Sequence, residues 1–86
     1  MDIFYTSRFK RSYKKLSETV KINAEKKEKI FRQDPFDKLL KTHKLHGKLD
    51  GVYAFSIDPK IRIIFEFNKD KNEIFFLAIG DHDIYE

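Results

Sequence analysis

Cysteine is absent from these 86 residues, tryptophan is absent too, and there are only two prolines and three glycines. The missing thiol excludes disulfides, thiolate metal ligands and a cysteine nucleophile, so packing alone must hold the fold. A small domain with no disulfide is most at home in a reducing cytoplasm, which is the expected location. Apolar runs are short as well: the longest, residues 74–79, is far below the roughly 20 residues that span a bilayer. The opening Met-Asp-Ile-Phe-Tyr has no signal-peptide pattern, and no membrane partner is expected. No glycine-rich phosphate loop, zincin signature or Ser-His-Asp order occurs, and no cofactor or metal is expected.

What is present is aromatic and basic. Nine Phe and four Tyr predict a compact aromatic core in one domain, residues 1–86. The net charge of +4 is unevenly spread. Residues 1–42 hold 12 Lys/Arg against 6 Asp/Glu, whereas residues 43–86 hold 6 against 8. A basic half points to an anionic partner, nucleic acid first. The bland alternative is a solvated, lysine-rich helix face.

Residues 3–5 read as a short strand, and Thr6 or Ser7 offers a helix cap. Phe9, Tyr13, Leu16 and Val20 recur at spacings of 4, 3 and 4, which is one helical face. Ser17 can cap a second helix, which Asp34-Pro35 ends because proline disfavours the α conformation before it. Residues 36–40 could make a helical turn, and 41–51 read as loop. From residue 52 the period changes to two, with strands over 52–57, 61–67 and 73–79. The order β-α-α-β-β-β predicts an α+β fold with two helices on one face of an antiparallel sheet. Phe9, Tyr13, Leu16, Phe31, Phe65 and Leu77 are its expected core.

Few residues carry chemistry. Alternation puts Arg62 on the sheet's other face with Ile64 and Glu66, where its guanidinium fork can meet a phosphate. A cross-strand pair with Glu66 or Glu73 is the alternative. His43 and His46 precede the sheet, and His82 follows it. Together they could instead form a metal site, although no cysteine or well-spaced acid supports one. The last seven residues gather His82, Asp81, Asp83 and Tyr85, either as a site or as a frayed polar end.

In order and spacing, His43-x-Leu45-x-Gly47, Gly51-Val-Tyr53-x-Phe55, Arg62-Ile-Ile-Phe65 and Ile79-Gly80-x-His82-x-x-Tyr85 resemble the RelE/ParE superfamily of bacterial and archaeal toxins, on its RelE/YafQ/YoeB mRNA-interferase side. The resemblance covers the whole chain. It implies a RelE-like four-stranded sheet, with the first strand beside the last. It also implies a type II toxin that cuts mRNA on the ribosome by 2′-OH attack and is neutralised by a cognate antitoxin. Such a reaction needs a base, a cation for the phosphoryl oxygens and an acid. By resemblance Arg62 holds the scissile phosphate, His43 and His82 share the acid–base work, and Tyr85 orients the base. Lys10, Arg11, Lys14, Lys44 and Lys48 are the implied RNA contacts.

The chain also departs from the pattern. Ser56 stands where YafQ-like members have another histidine, and Asp81 and Asp83 flank His82 where RelE-like members are basic. Two other functions fit the same residues. One is a ParE-like, gyrase-directed toxin that cuts nothing and works through its helical hairpin. The other is a non-catalytic RNA-binding module.

Overall fold

Two side-chain oxygens start the helices. Thr6 Oγ1 accepts the Phe9 amide at 3.2 Å, and Ser17 Oγ accepts the Val20 amide at 3.3 Å. Each satisfies one of the orphan donors of a helix N-terminus. The computed structural model describes residues 1–45 and 51–85, the Tyr85 side chain excepted. Along these the chain runs β1 (Asp2–Tyr5), α1 (Ser7–Lys14), α2 (Glu18–Gln33), a 3-10 turn (Lys38–Leu40) and β2 (His43–Lys44). β3 (Val52–Ser56), β4 (Arg62–Asn68), β5 (Glu73–Gly80) and a closing 3-10 turn (His82–Tyr85) follow. Asp34 leaves α2 in an extended conformation, and its carboxylate accepts the Phe36 amide at 2.9 Å.

The strands form one sheet in the order β1-β5-β4-β3-β2. β1 lies beside β5 and parallel to it, while the other neighbours are antiparallel. The fold is therefore α+β, as expected, but its sheet is mixed and has five strands rather than four. The added strand is β2, which falls where a loop was expected. Two polar residues have no periodicity to read; their extended conformation comes from pairing with the free edge of β3, His43 opposite Ala54 and Lys44 opposite Tyr53.

The main core lies between the helices and one sheet face. It joins Phe9, Phe31, Phe55, Phe65 and Phe76 with smaller apolar residues, and Tyr13 and Leu16 pack half-buried at its rim. Phe31 stacks on Phe55 with centroids 4.6 Å apart and meets Phe65 and Phe76 edge-on at 5.0 and 5.3 Å. Leu77 is not in this core. Ile64 faces Ala78 but Phe65 faces Phe76, which makes Leu77 the extra residue of a β-bulge. Alternation resumes one residue late, so Leu77 packs on the opposite face, against the small cluster of Ala54, Ile64 and Ala78.

Beyond the end of β1, α1 takes over the edge of β5. The Thr6 hydroxyl donates to the Phe76 carbonyl at 2.9 Å and reaches that of Leu77 at 3.1 Å, while the Ile79 amide donates to Ser12 Oγ at 3.2 Å. Backbone groups that no strand pairs are thereby satisfied.

Candidate active site on the open sheet face

Antiparallel partners present their side chains on one face. His43, Ala54, Ile64 and Ala78 form one row across β2, β3, β4 and β5, and Ser56, Arg62 and Gly80 form the adjacent row. The register thus puts His43 and Arg62 on the face away from the helices. Their Cα atoms are two strand spacings and one pleat repeat apart, on the order of 12 Å.

Arg62 has Ser56 and Gly80 as its cross-strand neighbours, not Glu66 or Glu73. Its guanidinium makes no hydrogen bond or ion pair with any described residue. It helps line a cleft of about 260 Å³ with Lys27, Lys41, Leu39, Ser56 and Asp58. Asp58 is occupied by its own turn, accepting the Lys60 and Ile61 amides at 2.8 and 2.7 Å. Three cations therefore border the cleft, with no acid among the described residues committed to them, which suits an anion.

His43 is exposed on the edge strand, with Nδ1 3.0 Å from the Lys41 carbonyl. A carbonyl only accepts, so Nδ1 carries the proton of that bond and the neutral ring keeps its lone pair on Nε2. Lys41 sets this up from a left-handed backbone, φ 53°.

His82 opens the closing turn. Its side chain is 80% exposed, with Nε2 3.8 Å from Asp83 Oδ1. Asp81 instead serves the turn: its carboxylate accepts the Asp83 amide at 2.9 Å and its carbonyl the Ile84 amide at 3.1 Å. Ile84 folds back against Gly80, where a Cβ would sit 2.6 Å from Ile84 Cγ2. A glycine at that position lets the turn close over the end of β5 next to Arg62's row. The Tyr85 side chain, His46, Gly47 and Lys48 lie outside the described residues.

The basic candidates on α1 separate. Lys10 and Lys14 border a groove of about 440 Å³ between the helices, walled on the α2 side by Glu25 and Glu28. Arg11 faces the other way, into a cleft of about 260 Å³ with Arg8, Lys15, Ala78, Asp83 and Ile84, beside the turn of His82. Lys44 follows His43 on β2 and pairs with Tyr53, which turns it to the opposite face. Arg8 and Lys15 were missed in the sequence, although spacings of 3 and 4 from Arg11 put all three on one helical stripe. Lys27 and Lys41 carry no such signal, because they meet Arg62 only through the tertiary fold.

Among the described residues, the groups whose acidity the fold displaces lie on the helix side. Burial, and then the Glu28 carboxylate to which its hydroxyl donates, raise the Tyr5 phenol above its ordinary value. Arg32 Nη2 donates to the same phenol oxygen at 3.0 Å.

The family model for the bacterial toxin of type II toxin–antitoxin systems, YafQ, matches residues 1–85. The chain belongs to the YafQ toxin family. Solved structures share its fold at low identity. YafQ from E. coli strain BL21(DE3) superposes with a TM-score of 0.80 at 17% identity, over 98% of this chain and 96% of that one. A YoeB/ParE toxin from Agrobacterium tumefaciens gives 0.80 at 15%, over 95% and 99%. The E. coli DinJ-YafQ toxin-antitoxin complex gives 0.75 at 21%, over 96% and 93%. No curated protein matches the sequence. No helix among the described residues of this YafQ-family toxin is long and apolar enough to cross a membrane.

Proposed function

We propose that this YafQ-family toxin is a ribosome-dependent mRNA endonuclease. The observation that carries the reading is an Arg62 guanidinium that has no partner among the described residues, on the same sheet face as a histidine whose Nε2 has none among them either. In this reading the 2′-OH proton passes to His43 Nε2 as the 2′-oxygen bonds to phosphorus. Arg62 takes the charge that builds on the phosphoryl oxygens. The P–O5′ bond breaks and His82 protonates the departing oxygen, giving a 2′,3′-cyclic phosphate and a 5′-hydroxyl end. Tyr85 orients the target base. Arg11, Lys10, Lys14, Lys44 and Lys48 meet RNA backbone, and Lys15 extends the Arg11 stripe. An open face cannot by itself bend RNA into line for attack, so the ribosome supplies the orientation. The site of action is then the cytoplasm, where mRNA is translated.

The partner is a cognate antitoxin protein. Family membership supports this, as does the shared fold with a toxin solved in complex with DinJ. If lysines carry that contact, binding weakens as salt rises.

Induced expression with mapping of mRNA 5′ ends tests the reading. New 5′-hydroxyl ends should appear within translated frames and vanish when the start codon is removed. Equal cutting of naked RNA would overturn the ribosome dependence. Growth arrest with intact mRNA would overturn the nuclease and move attention to the helical hairpin and gyrase.

A further inference from the structure

We propose that Arg8, in the first turn of α1, is a positioning residue for His82. His82 is exposed, and Asp83, its sequence neighbour, is its ion-pair partner among the described residues. Its side chain is 80% exposed, so its place depends chiefly on the backbone of the turn. Most polar ties of that turn are local, within Asp81, Asp83 and Ile84. Arg8 is different. Its Nη2 donates to the Ile84 carbonyl at 2.7 Å, across 76 residues of sequence. This charge-assisted bond joins the turn to a separate element.

The platform behind Arg8 is firm. Thr6 and Ser12, on either side of it, bond to the backbone of β5 at Phe76, Leu77 and Ile79. Ile84 is also pressed against Gly80 and the Ala54, Ile64 and Ala78 cluster, so its carbonyl is presented to α1 from a fixed side. Sheet, α1, Arg8 and turn thus form a closed loop of contacts whose free product is the direction of His82. The consequence for rate rests on the nuclease reading; the tether itself does not.

The test uses Arg8→Met, which keeps the stem and removes the donor, together with His82→Ala and the double variant. Two readouts are taken: cleavage of ribosome-bound mRNA, and backbone relaxation of residues 82–84 in the free toxin. Arg8→Met should lower kcat about tenfold or more with little change in KM, because small misplacements of a reacting group are costly. It should add nothing to His82→Ala, as expected for residues acting in series. Arg8→Lys, which still donates to a carbonyl, should recover part of the rate. Order parameters at 82–84 should fall in Arg8→Met from about 0.85 toward 0.6 or below. Multiplying losses in the double variant, or a rise in KM that grows with salt, would mean that Arg8 meets RNA directly and would overturn the proposal. Unchanged order parameters would overturn it equally. If the wild type cuts no RNA, the nuclease reading fails and relaxation alone decides the tether.

Discussion

The two faces of the sheet are built from different materials. Toward the helices, Phe31, Phe55, Phe65 and Phe76 are fully buried and in ring contact, and no polar or charged side chain is buried among the described residues. Away from the helices the buried floor is Ala54, Ile64 and Ala78, rimmed by half-buried Leu45, Val52, Leu77 and Ile84. Arg62 stands at the end of that floor without a partner among the described residues, and His43 at its edge. The first face is where dispersion and burial hold the fold together. The second is too thin to add much stability but leaves side chains free to act. Changes on the two faces should therefore have separable effects, on folding for one and on activity for the other.

The largest effect is expected on the aromatic face. Phe31→Ala should cost about 3–5 kcal/mol, a large share of the stability of so small a domain, and lower the thermal midpoint sharply. Thermal melting by circular dichroism measures it, and a mild loss would mean that the rings are not the keystone they look like. Arg62→Ala should cost on the order of 10²–10³ in cleavage rate and leave the melting temperature nearly unchanged. Arg62→Lys, with the charge but not the fork, should fall between. If both variants stayed fully toxic, the division between the faces would fail. Gly80→Ala crosses the two regions. Its Cβ meets Ile84 Cγ2, so the turn of His82 must move, with about 1 kcal/mol lost to overpacking and a measurable drop in cleavage.

The smallest effect is a pH dependence confined to the helix side. The Tyr5 phenol is raised above 10.0 in the folded state, chiefly by burial and then by Glu28. The folded protein therefore holds this proton more tightly than the unfolded chain does. The resulting stability is fully present below pH 10.0 and is lost as pH rises through the raised value. Wild type should lose thermal stability faster than Tyr5→Phe above that pH, with the two slopes alike at neutral pH. Parallel slopes throughout would show that Glu28 and Arg32 do not hold the phenol as the structure has them.

Local patterns in the chain carried a good deal. Thr6 and Ser17 cap the helices they were expected to cap, because a short oxygen-bearing side chain before a helical stripe needs no distant partner. Phe9 and Tyr13 face the core, since helical spacing settles a face by itself, whereas Leu16 packs there from the connection after α1 and Val20 belongs to α2, because α1 ends at Lys14. The three later strands stand within about a residue of their expected limits, as boundaries read from period two usually do. The family was also legible, through short motifs in a fixed order, and the match over residues 1–85 bears that out.

Other features needed the fold. β2 exists because β3 offers an open edge, and neither His43 nor Lys44 advertises that. Leu77 changed faces because a bulge shifts alternation by one, and a bulge is a property of two paired strands rather than of one sequence. Lys10 and Lys14 parted from Arg11 because one helix borders two different clefts. Whether Arg62 met a carboxylate or stayed open was likewise a matter of register: Glu66 shares its strand and cannot stand opposite it, a sheet that set Glu73 there would have paired it, and this one sets Ser56 and Gly80 there. By itself the sequence determined which residues could form each element, because caps, spacing and alternation act over a few residues. The tertiary structure decided which charges were left free, because a charge is paired or unpaired only with respect to neighbours that the chain brings from far away.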